Sequence, residues 1–523
     1  MTIGRTLTLS AALATALTML SGAARAETMI LASPQAPEGF DGDALKAHTQ
    51  NVVVQVYENL VKYGTMENEG VTQLDPSALE PHLAESWTVS EDGKTWVFKL
   101  REGVMSPYGN ELTADDVEWG WNKSFAQERT GNFIARVSNV ESVKALSDYE
   151  VEFTLSAPSA IFLSALTLYV PGIYDTTEVL EHATEDDPWA LEWMQSNTAG
   201  FGAYHLEELR PDDQAVFVAN PNYFGDAPYY DRVIYKEVPS EASRVTLLKA
   251  GQVQWIDRPS IQKVVDMQAD DAVKVQRATS RSVAATRMNP TCEPFDDVRV
   301  RQAFNYAVDK DALNTAVFAG QADIAKSIVS PIIAGSKPDW FAYDYDPEKA
   351  KALLAEAGYE NGIEEPVELI YSDAFWHQEP VAIQVADMLK QVGINAVPTR
   401  VTSAEMRARG APAEQSMCFF AWEDGPIVLD AVYSMFLMSH SAGVSNRAKY
   451  DNPALDALID DSDLDSPRLR FLVLEGRDDF DERYTTSRDA RLADEFEEQH
   501  PPGTPLGDAL EADGFVKLIR TSR

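Results

Sequence analysis

Positive charge is what this sequence has least of for its length. The 523 residues include 44 Lys and Arg against 83 Asp and Glu, which gives a formal net charge of −39 at pH 7. Proteins that bind nucleic acids place Lys and Arg against the phosphates, and anionic lipid surfaces attract the same cations. A surface this acidic repels both, so the composition argues against nucleic acid as a partner and against docking on anionic membranes.

Cysteine and histidine are also scarce, which limits the chemistry that one segment can build. The chain has two cysteines, Cys292 and Cys418, and seven histidines, and no two histidines lie three or four residues apart. Zinc sites within one segment need such spacings, so no metal site is predicted. The GxSxG, HExxH and CxxC patterns of common catalytic and redox sites are absent as well. We therefore expect a protein that is not an enzyme and that holds no cofactor.

Long apolar runs are missing, with one exception at the amino terminus. Residues 1–26 combine the positive Arg5, an apolar stretch over residues 7–20 and a small-x-small sequence at residues 24–26. This combination is typical of a cleaved signal peptide and predicts a mature chain that begins at Glu27. The remainder has no run of membrane length, so we expect a soluble protein exported to the periplasm of a two-membrane bacterium. Export permits a disulfide, but two buried thiols are the favoured expectation for the cysteines.

Local patterning predicts alternating strands and helices. Hydrophobic residues make up 45% of the chain, which is enough to fill more than one core. An Asp-Gly turn between two alternating runs predicts a hairpin over residues 87–100, and Thr113 with Asp116 predicts the capped start of a helix. Further predicted strands are residues 29–32, 150–155, 232–238, 367–371 and 395–400, and further predicted helices are residues 240–251, 298–308, 347–357 and 381–392.

A series of short segments occurs in a specific order along the chain. The segments are Val56–Leu60, Leu83–Trp87, Thr95–Gly103, Leu112–Val117, Thr198–Tyr204, Asn220–Phe224, Asp297–Asp309, Tyr450–Pro453 and Leu455–Ile459. Each is weak alone, but their joint order is specific. Through them the chain, from about residue 28 to about residue 460, resembles the extracellular solute-binding proteins of peptide-type ABC importers, family 5, which include dipeptide, oligopeptide and nickel binders.

The resemblance implies an α/β fold with two lobes, the venus-flytrap arrangement of periplasmic binding proteins. It further implies the large peptide-binding class of that fold, which has an extra subdomain in lobe one. Closure of such lobes on a solute is a hinge motion. The predicted boundaries are a signal peptide at 1–26, lobe one at 27–262 with an inserted subdomain at about 71–190, lobe two at 263–462, and a divergent tail at 463–523.

The function implied by the resemblance is capture of a solute for import. A monomer would hold peptides or peptide-like solutes in the cleft between its lobes and deliver them to an ABC permease and ATPase complex in the inner membrane. An oligosaccharide, an opine, glutathione or a metal chelate are alternative solutes. A secreted hydrolase with carboxylates assembled in space is the alternative from another class of protein.

One candidate solute-binding segment comes from the resemblance. In peptide binders of the family, an Asp that follows a Trp-containing strand end meets the α-amine of the peptide. Here the sequence is Trp422-Glu423-Asp424, and its spacing is one residue shorter than in the family. Asp424 is the first candidate and Glu423 the second, with Trp422 beside them, and a solvated acidic turn is the alternative explanation.

Other candidates come from residues that follow or end predicted strands, or lie in the helix after one. Ligands of α/β lobes lie beyond the carboxyl ends of strands. An aromatic ring there can stack on a solute, and a guanidinium can bind a carboxylate through two hydrogen bonds. Core packing is the alternative for the aromatic residues, and surface ion pairs are the alternative for the arginines. These candidates are Trp376, His377, Phe40, Asp41, Arg400 and Arg407.

The carboxyl-terminal segment departs from the family pattern. Residues 463–523 are rich in Asp, Glu and Arg and carry few apolar runs. Rapid divergence, a species-specific extension and a shifted reading frame each explain this composition. In the family, the corresponding segment returns to lobe one, so we expect the closing strands of that lobe to be affected.

Overall fold

The computed structural model of the chain describes most of the sequence between residues 27 and 460. The described ranges are 27–43, 49–68, 71–159, 161–276, 280–333, 336, 343–372, 375–411, 416–426, 428–443 and 445–460. The predicted signal peptide and the divergent tail lie outside the described residues, and both stay predictions. Within the described ranges, no helix is long and apolar enough to cross a membrane.

The strands are β1 (Thr28–Ser33), β2 (Val61–Asn68), β3 (Val71–Pro81), β4 (Ala84–Val89), β5 (Thr95–Leu100), β6 (Val140–Ser147), β7 (Glu150–Leu155), β8 (Tyr204–Arg210), β9 (Gln214–Ala219), β10 (Arg232–Glu237), β11 (Trp255–Ile256), β12 (Val283–Met288), β13 (Ile363–Ser372), β14 (Ile394–Val401) and β15 (Phe419–Asp424).

The helices are α1 (Gln50–Val53), α2 (Ala114–Gln127), α3 (Thr130–Val137), α4 (Phe162–Ala165), α5 (Thr176–Glu181), α6 (Glu241–Lys249), α7 (Ile261–Gln268), α8 (Val298–Ala307), α9 (Lys310–Phe318), α10 (Pro347–Glu356), α11 (Gln378–Gln391), α12 (Ser403–Arg409), α13 (Ala431–Ser439) and α14 (Pro453–Asp460). A short 3-10 helix spans Trp193–Gln195.

Two main sheets build the first part of the chain. A five-stranded sheet has the order β11-β1-β10-β9-β8, and a four-stranded sheet has the order β4-β5-β7-β6. β1 and β10 pair in parallel from Thr28 opposite Arg232, which ties the start of the described chain to a distant strand. The antiparallel pair β2–β3 leads from one sheet into the other.

Local sequence signals position the elements of this part as predicted. β4 and β5 form the expected hairpin, and Gly93 in its turn has φ = +69°, which glycine adopts without steric cost. The Thr113 N–H donates to Asp116 Oδ2 at 2.8 Å, which caps the start of α2. The remaining predicted strands and helices are confirmed, although α11 begins at Gln378 and β13 at Ile363, both earlier than predicted.

A four-stranded sheet with the order β12-β15-β13-β14 forms the second lobe. β13 pairs in parallel with both β14 and β15, and β12 runs antiparallel to β15 at the edge. Residues from α8, α10 and α11 pack with this sheet in one apolar cluster, in which Phe419 lies 5.6 Å from Phe295 and 5.3 Å from Phe304 between ring centroids. The βα alternation predicted for this region is confirmed.

The chain after β15 returns to the first part of the molecule. Tyr433, Leu455 and Ile459 are buried in the same apolar cluster as the β4-β5-β7-β6 sheet. The Leu429 N–H donates to the Tyr63 hydroxyl at 3.1 Å, which adds a polar link across this contact. Helices α13 and α14 therefore pack on lobe one, whereas the boundaries predicted from the sequence include them in lobe two. The predicted boundaries at residues 26, 262 and 462 stay predictions.

The two cysteines are joined in the structure, so the expectation of two buried thiols is wrong. Cys292 and Cys418 form a disulfide with a Cα–Cα distance of 5.7 Å, which is within the usual range. The pairing of β12 with β15 brings the two residues together, and the Asn289 N–H donates to the Cys418 carbonyl at 2.8 Å. The two cysteines are 126 residues apart in the sequence, so no local pattern predicts that they lie close together.

Candidate functional site

The carboxyl ends of three strands meet at one edge of the lobe-two sheet. β13 and β14 end together with Ser372 opposite Val401, and β15 ends beside them at Asp424. β12 begins at this edge, with Val283 opposite Asp424. Open α/β sheets bind ligands at the carboxyl ends of their strands. This edge, with the loops that leave it, is therefore the candidate site.

His377 and Glu423 contact each other at this edge. His377 Nε2 lies 3.3 Å from Glu423 Oε2, and both side chains are largely buried. Burial lowers the pKa of His377, so its ring is neutral at pH 7 and can donate Nε2–H to the carboxylate. The loop before α11 is held by Gln378, whose Oε1 accepts from the Ser372 N–H at 2.9 Å. Glu423, the second candidate for a solute amine, therefore has a partner within its own lobe.

Three aromatic side chains form what we call the aromatic shelf: Phe318, Phe375 and Trp376. Trp376 is 52% exposed and meets the Phe318 ring edge-to-face at 5.6 Å, while Phe375 is 41% exposed. His377 lies 5.5 Å from the Trp376 ring centroid and 5.7 Å from that of Phe375. An exposed indole on a rigid support can stack on a flat or apolar group. Trp376 is thus placed for contact with a solute.

The remaining lobe-two candidates occupy different faces. The Arg447 guanidinium lies 4.3 Å from the centroid of the Trp422 ring, so this tryptophan already stacks on a protein cation. Arg400 is exposed and pairs in register with Tyr371, where its charge opposes the increase in the tyrosine pKa caused by burial and by Glu379. Arg407 is exposed on α12.

Asp424 is the last residue of β15. Its backbone pairs with Val283, and Gly425 and Pro426 follow it out of the sheet. Asp424 therefore lies at the edge where ligands of such sheets bind. Its assignment to a solute amine stays a prediction.

Phe40 and Asp41 lie inside lobe one. The Phe40 ring is fully buried, 5.9 Å from the Phe217 ring, and the Tyr57 hydroxyl donates to its carbonyl at 2.8 Å. Asp41 is also buried, and its Oδ1 accepts from Lys123 Nζ at 2.7 Å and from the Tyr174 hydroxyl at 2.6 Å. Both side chains therefore have structural partners.

A second buried carboxylate lies close to this ion pair. Burial raises the pKa of Asp43 to about 6, with Lys123 opposing and Asp41 adding to the increase. Asp43 Oδ1 accepts from the Gly131 N–H at 2.7 Å, while Oδ2 has no partner among the described residues. The pKa of Asp41 shifts in the opposite direction. Burial acts to raise this pKa, but the Lys123 ammonium and the Tyr174 hydroxyl outweigh burial and hold it below its usual value.

The sequence analysis did not identify Tyr169, Tyr433 and Arg281, whose charge acts on the pKa values of both tyrosines. Burial raises the pKa of both tyrosines, and the charge of Arg281 opposes that increase. Tyr169 and Tyr433 belong to the lobe-one packing, whereas Arg281 lies two residues before β12 of lobe two. No motif surrounds any of them. The one available signal is a positive residue beside a strand in a very acidic chain.

The arrangement provides charged and aromatic groups for holding a solute. Among the described residues, no three His, Cys, Asp or Glu side chains converge as a metal site. Two separate apolar clusters hold two α/β parts, and the second part presents the carboxyl ends of its strands at one edge. These features define a two-lobed solute-binding protein.

Comparison with protein families agrees with that class. The description "Bacterial extracellular solute-binding proteins, family 5 Middle" matches residues 78–446. The chain therefore belongs to the family 5 solute-binding proteins, a family of binding proteins. This confirms the family and the two-lobed α/β fold inferred from the sequence.

Two relatives are similar over most of their length. Heme-binding protein A of Haemophilus influenzae is 29% identical over 468 residues, covering 83% of this chain and 81% of the relative. The dipeptide-binding protein of Escherichia coli is also 29% identical over 468 residues, covering 84% of each chain.

Solved structures share the fold at lower identity. HbpA2 from Haemophilus parasuis has a TM-score of 0.73 at 23% identity, covering 86% of this chain and 91% of that chain. The ABC transporter-associated periplasmic binding protein DppA from Helicobacter pylori, in complex with the peptide STSA, has a TM-score of 0.68 at 22% identity, covering 86% and 89%.

Proposed function

We propose that this chain binds peptides or peptide-like solutes between its lobes and delivers them to the permease and ATPase complex of an ABC importer. Family membership supports the solute-binding role. The relatives that support a peptide as the solute are the dipeptide-binding protein of Escherichia coli and the Helicobacter pylori protein in complex with a peptide. The protein acts as a monomer in the periplasm.

The observation that carries the peptide assignment is the contact that already engages Glu423 next to the end of β15. Glu423 contacts His377 at 3.3 Å inside lobe two, so the amine-binding role falls to Asp424 at the edge of the sheet. A carboxylate at this edge is a natural partner for the cationic α-amine of a peptide, because charge-assisted hydrogen bonds are the stronger ones. Trp376 on the aromatic shelf would cover an apolar side chain of the solute.

Export supports this function and has a direct test. Residues 1–26 are proposed to be removed, which leaves Glu27 as the first residue. The intact mass of the protein from a periplasmic extract should match a chain beginning at Glu27. A mass that includes Met1 would contradict both the processing and the location.

The solute class is tested by titrating the mature protein with a library of short peptides. Saturable changes in tryptophan fluorescence, with the peptides recovered intact by mass spectrometry, are the expected result. Progressive cleavage of the bound peptides would instead support the hydrolase alternative. The absence of saturable binding by any peptide would contradict the proposed solute class.

A planar metal chelate is the second candidate solute. The exposed Trp376 and Phe375 rings favour it, because flat conjugated solutes stack on such a surface. One of the relatives is a heme-binding protein. Hemin is therefore titrated in parallel with the peptide library, and a saturable hemin spectrum without peptide binding would favour this candidate.

A further inference from the structure

The Tyr63 side chain of lobe one contacts the chain that leaves the lobe-two sheet. The Leu429 N–H donates to the Tyr63 hydroxyl at 3.1 Å, and both residues are buried. Leu429 follows Asp424, the last residue of β15, by five positions in the sequence. The chain therefore passes from the lobe-two sheet to a lobe-one side chain within a span of at most roughly 18 Å. This hydrogen bond lies next to the edge where the solute is proposed to bind.

An irregularity in the β2–β3 pair sets the position of Tyr63. Tyr63 pairs with Leu79, whereas the next residue, Gly64, pairs with Asp75, so β3 contains extra residues at this point. Such bulges bend a strand and redirect the side chains beside them. A Cβ at Gly64 would lie 3.0 Å from Ala78 Cβ, so glycine permits the close approach of the two strands here. The Tyr63 ring is buried in the apolar cluster of lobe one.

A second link joins the same edge to lobe one just before β12. The Ser330 hydroxyl donates to the Ser280 carbonyl at 2.6 Å, a few residues before β12 begins. Val329 and Ile333, which flank Ser330, are buried in the same apolar cluster as Tyr63. The end of β15 and the approach to β12 are therefore both tied to lobe one. This edge cannot move relative to lobe one without breaking these contacts.

The chain that follows α13 also contacts lobe two. Arg287 Nη1 donates to the Ser445 carbonyl at 3.2 Å, and Arg447 Nη1 donates to the Gly410 carbonyl at 3.0 Å. The Arg447 guanidinium also stacks over the Trp422 ring. Helix α13 is buried against lobe one, so this segment contacts both lobes. Its position therefore depends on how the lobes are arranged.

We propose that Tyr63 is a positioning residue for solute binding, because its hydroxyl holds Leu429 and thereby keeps the end of β15 against lobe one. This inference rests on the proposed function and extends it to a buried lobe-one residue. A solute shifts the protein toward the arrangement that it binds best. Without the hydroxyl, the buried Leu429 N–H loses its acceptor in that arrangement, which disfavours it. Solute binding then has to offset this loss and becomes weaker.

The test compares the mature wild type with Tyr63→Phe, which keeps the ring and removes the hydroxyl. Dipeptides with apolar side chains are titrated by calorimetry, and hemin, the second candidate solute, is titrated in parallel. Stopped-flow tryptophan fluorescence gives the dissociation rates. We expect Tyr63→Phe to bind about tenfold more weakly, or roughly 1.4 kcal/mol. Most of this change should be faster dissociation, since affinity differences within one site arise mainly in that rate.

Amide hydrogen exchange at Leu429 measures the contact itself. In the wild type this amide should exchange slowly, and more slowly still when the solute is bound. In Tyr63→Phe the amide should exchange faster, and the solute should protect it less. The comparison without solute needs no ligand. The protection added by the solute is the part that a contact serving stability alone would leave unchanged.

Tyr149→Phe is the matched control. The Tyr149 hydroxyl donates to Glu111 Oε1 at 2.9 Å within lobe one, so this substitution also removes a hydrogen-bonded hydroxyl. It should leave the affinity, the dissociation rate and the Leu429 exchange unchanged. Unfolding temperatures of both variants without solute identify any loss that is caused by misfolding.

The outcomes separate this inference from the proposed function. Unchanged affinity and dissociation rate in Tyr63→Phe, with only a lower unfolding temperature, would overturn the inference and leave peptide binding intact. Unchanged exchange at Leu429 would overturn it as well. If hemin binds the wild type and no dipeptide does, the peptide class is wrong, and the hemin affinity of Tyr63→Phe decides the inference. Failure of both kinds of solute to bind the wild type would remove the proposed function and this inference with it.

Discussion

Lys123 Nζ lies 2.7 Å from Asp41 Oδ1 in the interior of lobe one, and the lysine side chain is fully buried. Tyr174 donates to the same carboxylate oxygen at 2.6 Å. Removing one partner of such a buried ion pair leaves the other charge in the interior without compensation, which is costly. The pair therefore matters for stability because both charges are present.

Removing the lysine should therefore destabilise the protein strongly. In Lys123→Met the Asp41 carboxylate loses its buried counter-charge, and we expect the free energy of unfolding to fall by about 3–5 kcal/mol. Urea unfolding followed by circular dichroism measures this loss. Lys144→Met, which removes an exposed lysine on β6, is the matched control and should change stability by less than about 0.5 kcal/mol. Equal effects of both substitutions would contradict the role of the pair.

Asp43 gives lobe one a pH dependence of definite sign. Burial raises its pKa from 3.8 to about 6 in the folded chain, so the folded state keeps a proton that the unfolded state releases. The stabilising contribution is present below about pH 4 and is lost as the pH rises to about 6, with a total of about 3 kcal/mol. Asp41 acts in the opposite direction, because its folded pKa is lowered.

The comparison that isolates Asp43 is with Asp43→Asn, which cannot release this proton. The stability of Asp43→Asn relative to the wild type should increase between pH 4 and pH 7 by about 3 kcal/mol. Asp148→Asn, at an exposed position, serves as the matched control. A pH-independent difference between Asp43→Asn and the wild type would show that Asp43 does not titrate in this window.

Asp424→Asn tests the proposed amine site. The substitution keeps the size of the side chain and removes its charge, so affinity for a peptide that binds the wild type should fall by at least about tenfold, or roughly 1.4 kcal/mol. Acetylation of the peptide amine should cause a similar loss in the wild type and little further loss in the variant. Unfolding temperature without ligand should hardly change.

Glu423→Gln is the companion variant for the amine. Because Glu423 contacts His377, its loss is expected to affect the α11 end of the site more than the amine. If Asp424→Asn binds normally and Glu423→Gln does not, the amine is at Glu423. Normal binding by both variants and by their double mutant would mean that no amine is held here.

Trp376 should report on the solute. Trp376→Phe keeps an aromatic ring on the exposed shelf, so its effect on stability should be within about 0.5 kcal/mol, whereas the fluorescence change on binding should largely disappear. Trp255→Phe is the matched control, because Trp255 is 54% exposed and Trp376 is 52% exposed, but Trp255 lies on β11 in the other lobe. A fluorescence change that persists in Trp376→Phe and vanishes in Trp255→Phe would place the solute elsewhere.

The disulfide should stabilise lobe two. Cys292 and Cys418 are 126 residues apart in sequence, and closing such a loop in the unfolded chain is worth about 2–5 kcal/mol. The double variant Cys292→Ser with Cys418→Ser should therefore unfold at lower urea concentration than the oxidised wild type. Adding reductant should lower the wild-type midpoint in the same direction and leave the double variant unchanged. A wild-type midpoint that does not respond to reductant would contradict this contribution.

Much of the local structure follows from nearby residues. The Asp-Gly hairpin between β4 and β5, the cap formed by Thr113 and Asp116, and the strands and helices of lobe two depend on periods and turn chemistry that one segment contains. The family could be recognised for a related reason, because its motifs lie in such elements and keep their order along the chain.

The candidate site could be predicted only in part. Trp376, His377 and the Trp422-Glu423-Asp424 segment lie at the ends of lobe-two strands, where ligands of such sheets bind. Phe40 and Asp41 also follow a strand, but their side chains are buried among Tyr57, Phe217 and Lys123 and other neighbours that come from distant segments. The rule that ligands bind beyond the carboxyl ends of strands cannot distinguish these cases. It contains no information on which distant segments pack against the loop that follows a strand.

The sequence by itself determined the class of protein, the acidic surface and the order of the elements, since composition, periodicity and short motifs act over a few residues. Tertiary structure decided the pairing of Cys292 with Cys418, the return of the chain after β15 to lobe one, and the burial of Asp41 against Lys123. Each of these joins residues far apart in the chain. The free energy of such contacts depends on burial and distance in three dimensions, and no local pattern encodes either quantity.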